Sequence, residues 1–234
     1  MKISDTQYRR FNLAIAVLIA AIVFYGFSQT IDRAVVHPHT PPPTVLYVHV
    51  ALASAWVLLL VVQSALVWSR NIALHRRLGT AGLVLGALVS AVSFVTAIDL
   101  RRLDIAGDAD VAYLVIPLTA FLTFTVPFAL AAYWRKWPDL HRPLILLAGI
   151  AVTAPALARF PGVRPNLLFL TVLIPDLMIV ATAAIDAVRR RRFSPVYGWG
   201  LAGMMATQIV GLYALVAQPA WWMATARLLL TLPI

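Results

Sequence analysis

Residues 73–97 read ALHRRLGTAGLVLGALVSAVSFVTA, a basic start containing a histidine followed by an apolar run long enough to cross a bilayer. Small residues recur in this run at spacings of three and four, so they share one helical face: Gly79, Gly82, Gly86, Ser90, Ser93 and Ala97. A face without side-chain bulk lets another backbone, or a flat cofactor, approach closely. The stretch therefore predicts a membrane-spanning helix with one face suited to close packing.

The composition of the whole chain is that of an integral membrane protein. Of its 234 residues, 62% are hydrophobic and only 12% are charged. A soluble domain of this size could not cover so much apolar surface, so the lipid bilayer is the expected solvent. The formal net charge of +10 comes from basic residues between apolar runs, which indicates orientation in a membrane and no nucleic-acid partner. The absence of cysteine excludes disulfides, thiolate metal sites and cysteine nucleophiles.

Seven segments are apolar over the roughly 17–25 residues that a crossing helix needs. They lie at 11–29, 44–68, 78–98, 111–133, 143–160, 167–188 and 196–217. Hydrocarbon offers backbone groups no water, and no alternating pattern indicates a barrel, so the spans are expected to be helices. The stretch 219–234 is too short for an ordinary crossing and predicts a helix at the interface or a re-entrant piece. The expected fold is an all-α polytopic bundle in one integral membrane domain over 1–234.

The basic residues also predict the orientation of the chain. With the N-terminus inside, thirteen lysines and arginines fall on inner segments and five on outer loops, and Arg227 lies beyond the last span. This bias predicts an N-terminus in the cytoplasm and a C-terminus outside.

Several polar residues fall inside spans, where they cost several kcal/mol unless they are paired or hydrated. His49, Trp56 and Gln63 recur every seven residues and so stay nearly on one helical face, which is expected to point into the bundle. Interhelical hydrogen bonding with aromatic packing is one interpretation of this stripe, and a functional site is the other. Asp176 lies near mid-depth in the sixth span, where a structural partner and a proton-relay role are both open. Asp186 is expected to form a surface ion pair with the arginines at 189–192.

His75 and His141 each stand at the basic start of a span, within the motif Leu-His-Arg. A b-type haem needs two imidazoles from different helices at matching depth, small residues beside the macrocycle and cations near its propionates. The chain offers candidates for each role: His75 and His141 as axial ligands, Gly82 and Gly86 beside the ring, and Arg76, Arg77 and Arg142 near the propionates. Anchoring of helix ends among lipid headgroups is the alternative interpretation.

His37, His39 and His49 lie toward the opposite side. A His-x-His pair plus a third imidazole is a candidate site for a single zinc, iron or copper ion. Ordinary loop residues are the alternative interpretation, with no metal or cofactor bound.

The run from His49 to the motif Leu74–Gly79 resembles a group of uncharacterised bacterial multi-pass membrane proteins that carry an LHRxLG-type loop. The similarity covers roughly residues 45–97, and residues 140–159 fit it more loosely. It implies a bacterial inner (cytoplasmic) membrane location and no particular activity. The helix-borne histidines are more distantly similar to transmembrane b-type cytochromes, which usually hold haems with four histidines in two pairs. With only three histidines near its spans, this chain is expected to hold at most one haem.

Three hypotheses on function follow from these residues. The first is a redox or metal-binding membrane protein with one b-type haem at the cytoplasmic side, which exchanges electrons with a quinone or a partner subunit. The second is a non-catalytic subunit or assembly factor that binds another membrane protein through the small-residue face at 79–97. The third is a proton-coupled transporter centred on Asp176 and the stripe of His49, Trp56 and Gln63. No residue pattern assigns an enzymatic reaction.

Overall fold

The computed structural model describes residues 5–103, 107–163 and 166–233, and this part of the chain is mainly helical, with no strand. The helices are α1 (Asp5–Ser28), α2 (Thr44–Trp68), α3 (Ile72–Leu103), α4 (Asp108–Ala112), α5 (Val115–Tyr133), α6 (Pro138–Ala151), α7 (Thr153–Leu157), α8 (Leu170–Arg190), α9 (Pro195–Ala217) and α10 (Ala220–Leu230). A short π-helical segment, Asp32–Val36, lies between α1 and α2.

The described residues contain seven helical segments long and apolar enough to cross a membrane, which confirms the predicted all-α bundle. Three of them are single helices that also match the predicted limits closely: α2, α8 and α9. The short α10 confirms the expected helix after the last span. Its position is fixed by Arg102, whose guanidinium donates hydrogen bonds to the carbonyls of Leu230 and Leu232.

The first, third and fifth spans begin earlier than the sequence predicts, at Asp5, Ile72 and Pro138. The side chain of Asn71 accepts a hydrogen bond from the N–H of Leu74 (3.2 Å), as an N-cap residue does. Pro138 opens α6 with the backbone angle that a first helical residue needs. As a result, His75 and His141 are each the fourth residue of a helix.

The fifth span is interrupted at Val152, so it consists of α6 and the one-turn α7. Pro155 has no N–H to donate to the carbonyl of Ala151, one turn earlier, which removes a hydrogen bond at this point. The hydroxyl of Thr153 donates instead to the carbonyl of Ile150 (2.7 Å).

The α6–α7 span forms the centre of the bundle. In its apolar window 61% of the residues are buried, against 17–33% in the six other spans. Helix α6 packs against α1, α5, α7, α8 and α9, and the main hydrophobic core surrounds it. A smaller core lies between α4, α10 and the neighbouring ends of α3, α5 and α9.

Candidate functional site

One end of the bundle gathers most of the polar side chains that the sequence singles out. We call it the basic border; it comprises the starts of α1, α3, α6 and α9 and the ends of α2, α5 and α8. Contacts between helices hold these ends together, such as the hydrogen bond from the hydroxyl of Tyr8 to Asp186 (2.5 Å). Two histidines, His75 and His141, belong to this border.

The carboxamide of Gln63 contacts the first turns of α3. One of its outer atoms lies 3.1 Å from the carbonyl oxygen of His75 and 2.5 Å from Nδ1 of the same residue. The other lies 3.0 Å from the backbone nitrogen of Gly79. Since a carbonyl can only accept a hydrogen bond and a backbone N–H can only donate one, the amide nitrogen faces His75 and the amide oxygen faces Gly79.

This orientation defines the hydrogen-bonding role of His75. Nδ1 faces an amide N–H, so it must act as the acceptor. A neutral imidazole carries one proton, and here that proton belongs on Nε2. His75 therefore offers a donor at Nε2.

His141 is bound in the opposite way. Its Nδ1 lies 2.9 Å from the carbonyl oxygen of Ala131, in the last turn of α5. The carbonyl only accepts, so Nδ1 carries a proton, and in the neutral form of the ring Nε2 has the lone pair. The two imidazoles lie close enough to interact electrostatically, which agrees with the prediction that both stand at one border.

These hydrogen bonds test whether the pair fits a haem. An axial histidine binds iron through an unprotonated nitrogen and donates its other N–H to a neighbour. His141 meets this requirement as it stands. His75 does not, because its Nε2 is protonated and its Nδ1 is covered by Gln63. The described arrangement therefore does not fit a haem held by both histidines.

The small-residue face of α3 allows close packing, as the sequence predicts, and its neighbours at Gly82 and Gly86 are side chains of this chain. A Cβ at Gly86 would overlap the ring of Phe128, and a Cβ at Gly82 would lie 2.9 Å from Cδ2 of Leu59. These glycines let α2 and α5 pack closely against α3. At Gly82 and Gly86 the face is thus an internal contact between helices of this chain.

The predicted propionate arginines have different surroundings. Arg76 and Arg77 are exposed. Arg142 is half-buried, and its guanidinium carbon lies 5.0 Å from the centre of the Tyr8 ring. Only Arg142 is therefore held in a defined position by aromatic packing.

Asp186 belongs to a buried cluster at the basic border, which corrects the expected surface pair. Its side chain is 1% exposed, and Oδ1 accepts hydrogen bonds from the Tyr8 hydroxyl and from Nε of Arg190 (2.9 Å). Arg190 also binds Asp139 (2.7 Å). Pairing with Arg190 matches the prediction, but burial does not, because α1 and α6 cover this end of α8. Tyr8 was not predicted from the sequence, where its one signal is an aromatic hydroxyl in the first turn of α1.

A surface cavity of about 500 Å³ lies at the corner between α5 and α6. Its lining consists of Tyr133, Trp134, Trp137 and Leu140. Leu140 directly precedes His141, and Tyr133 lies two residues after Ala131, the partner of His141. The cavity therefore shares its corner with one of the two histidines. These aromatic residues were not predicted from the sequence as part of a site, although Trp and Tyr are typical of membrane borders.

The stripe on α2 points into the bundle, as the seven-residue spacing predicts. His49 is half-buried with Nδ1 3.3 Å from Oγ of Ser93 on α3. Trp56 is 5% exposed, with its ring centre 4.8 Å from that of Phe124. Gln63 completes the stripe at His75. The three residues serve three separate contacts and form no shared cluster.

Asp176 has a structural partner on the neighbouring helix. Nε2 of Gln208 on α9 donates a hydrogen bond to Oδ1 of Asp176 (3.2 Å), and both side chains are half-buried. This is one of the alternatives that the sequence left open. The contact joins α8 to α9 and brings Asp176 to none of the histidines.

Two of the three histidines proposed as metal ligands have separate contacts. Nδ1 of His37 lies 2.7 Å from Oδ1 of Asp32, and both side chains are exposed. His49 instead contacts Ser93 within the bundle, as described above. Across residues 5–103, 107–163 and 166–233, no group of three or more His, Cys, Asp or Glu side chains could hold a metal ion. A metal site at His37, His39 and His49 stays a prediction.

Comparisons with known protein families, with curated proteins and with solved structures find no match to this chain.

Proposed function

We propose that this integral membrane protein binds the head group of a membrane quinone through His75 and His141. The observation that carries this proposal is the opposite role of the two imidazoles at one border, a donor at His75 and an acceptor at His141. A quinone carbonyl accepts a hydrogen bond, and a quinol hydroxyl also donates one. A donor and an acceptor at the same border suit a ligand that alternates between these two forms.

The aromatic cavity beside His141 supports the same ligand class. A quinone ring is flat and apolar on its faces, so Tyr133, Trp134 and Trp137 offer suitable packing surfaces. Aromatic side chains of this kind concentrate at the border between lipid and water. From such a border the isoprenoid tail of a quinone can extend into the bilayer.

The proposal includes orientation and location. In the sequence, thirteen basic residues on the predicted inner segments, against five on the predicted outer loops, support a cytoplasmic N-terminus and an external C-terminus. In the inner membrane of a bacterium, the quinone site would then face the cytoplasm. The chain itself would only bind the quinone, and electrons would reach the quinone from a partner subunit.

Quinone titration of the purified protein in lipid nanodiscs tests the proposal. A short-tailed ubiquinone and a short-tailed menaquinone are added while tryptophan fluorescence is recorded, because Trp134 and Trp137 line the cavity. Saturable quenching is expected with one of them. His75→Leu and His141→Leu are each expected to weaken it roughly tenfold, as the loss of one hydrogen bond to a desolvated ligand implies.

The matched control is His39→Leu, which changes a histidine in the loop before α2 and should leave quenching unchanged. Non-saturable quenching, or equal affinity in the wild type and both histidine variants, would overturn the proposal.

A b-type haem is the second candidate, favoured by the free Nε2 of His141 and the proximity of His75. It requires Gln63 to withdraw so that His75 can change its protonated nitrogen. An absorption spectrum separates the two candidates. A Soret band that disappears in both His75→Ala and His141→Ala would favour haem over quinone.

A further inference from the structure

We propose that Gln63 determines which ligands the paired histidines accept: it holds His75 as a hydrogen-bond donor and thereby excludes metal ions from that side chain. This inference rests on the proposed function, since it concerns the ligand selectivity of the same site. It assigns a role to a residue of α2 that would otherwise serve only as an interhelical contact.

The first step is that the orientation of the Gln63 amide is set by the backbone of α3. The amide spans the carbonyl of His75 and the N–H of Gly79, which are four residues apart on the helix. The reversed amide would place oxygen against a carbonyl oxygen and N–H against N–H. Two backbone groups therefore select one orientation, whatever the protonation of the His75 ring.

The second step is that the oriented amide selects the form of the imidazole. The amide nitrogen lies 2.5 Å from Nδ1 and directs an N–H toward it, which favours a ring with an unprotonated Nδ1. A doubly protonated ring would direct N–H against N–H at this contact, so the amide disfavours the cation as well. Neutral His75 with its proton on Nε2 is the form that remains.

The third step concerns metals. A metal ion binds an unprotonated imidazole nitrogen, and the only one that His75 has is covered by Gln63. Metal-binding histidines commonly donate their second N–H to a carboxylate or a carbonyl. Gln63 presents an N–H where such a site would present an oxygen, so the residue acts against metal binding.

The isosteric substitution Gln63→Glu reverses this arrangement. A carboxylate only accepts, so Nδ1 of His75 must become the donor and Nε2 gains a free lone pair. Gln63→Leu removes the selection without supplying an acceptor and serves as a second variant if the new charge impairs folding. Gln29→Glu is the matched control, because it makes the same chemical change at an exposed residue after α1.

Nitrogen-15 NMR of histidine-labelled protein in detergent, without quinone and at a pH where imidazoles are neutral, measures this directly. The His75 signals are assigned as those missing in His75→Gln. In the wild type and in Gln29→Glu, Nε2 is expected to carry the proton. In Gln63→Glu the proton is expected on Nδ1, and in Gln63→Leu on both nitrogens in exchange.

Zinc titration of the same proteins adds a second readout. Gln63→Glu is expected to bind Zn²⁺ at least tenfold more tightly than the wild type, by analogy with the loss of affinity when a metal site loses such a partner. A His75→Ala change in that variant should abolish the gain.

Protonated Nδ1 in wild-type His75, or no difference between wild type and Gln63→Glu, would overturn the role of Gln63. Because quinone is absent from both measurements, that outcome is distinct from a failure of quinone binding. Conversely, if NMR gives the expected result but quinone quenching is not saturable, quinone binding is rejected and the effect of Gln63 on His75 stands.

Discussion

The first turns of α3 and α6 share a local sequence and differ in their surroundings. Each helix begins with two residues before Leu-His-Arg, so each histidine is the fourth residue of its helix. Yet His75 accepts a hydrogen bond from a side chain of α2, whereas His141 donates one to the backbone of α5. The same motif therefore yields two imidazoles of opposite character.

The arginines that follow show the same contrast. Arg76 is exposed, whereas Arg142 packs over the ring of Tyr8 beside the buried cluster around Asp186. Helix α6 is surrounded by other helices, so the first turn of α6 finds protein partners on several sides. The contacts of the histidine and the arginine in each motif therefore depend on where the helix lies in the bundle, and not on the motif itself.

The largest effect is expected when Asp186, the buried carboxylate of the cluster beside the start of α6, is removed. In Asp186→Ala the buried guanidinium of Arg190 loses its buried carboxylate partner. This loss should lower the free energy of unfolding by about 3–5 kcal/mol. Reversible unfolding in mixed detergent micelles measures it. The nitrogen-15 signals of His141 should shift in this variant, and those of His75 should not. Asp139→Ala, at a mostly exposed partner of Arg190, should cost no more than about 1 kcal/mol; an equal loss in both variants would contradict the assignment.

A second test concerns α3, whose glycines pack closely against side chains of α2 and α5. Gly86→Val should destabilise the protein by roughly 1–3 kcal/mol, because the new side chain overlaps the ring of Phe128. Combining it with Phe128→Ala should recover part of the loss, as two residues in contact imply. Gly203→Val is the control, since a Cβ there meets no atom within 4 Å. Strictly additive effects of the first two changes would argue against the contact.

A third test separates the two histidines by stability. His141→Leu leaves the carbonyl of Ala131 without its donor at the end of α5, with an expected cost of about 1–2 kcal/mol. His75→Leu should cost less than half of that, because the Gln63 amide keeps its partners on the α3 backbone. Both values come from the same unfolding assay, and the reverse order would show that the two contacts are misassigned.

The smallest expected effect on stability is the difference between conservative substitutions at Arg142 and at Arg76. Arg142→Lys should destabilise by about 0.5–1 kcal/mol, since an ammonium stacks less well over the Tyr8 ring than a planar guanidinium does. Arg76→Lys, at an exposed position, should leave the unfolding free energy unchanged within error. A clear loss in Arg76→Lys would show that the start of α3 has partners beyond those described.

Hydropathy predicted the number and the approximate limits of the helices. Apolar length decides whether a segment spans, and seven-residue spacing decides which side chains share a face, so Trp56 was correctly expected inside the bundle. The early starts at Ile72 and Pro138 depend on capping by Asn71 and on the first-position proline, which hydropathy does not register.

The partners within the site could not be predicted in this way. Tyr8 and Asp186 are 178 residues apart, and their contact depends on how α1 and α8 are rotated against each other. The filling of the Gly86 face by Phe128 likewise depends on packing between α3 and α5. The role of His75 depends on the orientation of a single amide. Composition limits none of these variables, so the contacts of these side chains could not be predicted from the sequence.

The central position of α6 also affects how the protein meets its membrane. A bilayer that is too thick or too thin is accommodated by tilting of the helices that lipid touches. His141 lies on the span that lipid touches least, whereas the surrounding spans are mostly exposed on their outer faces. Ligand affinity at His141 should therefore vary little with acyl-chain length, so the protein could operate unchanged as a cell remodels its lipids.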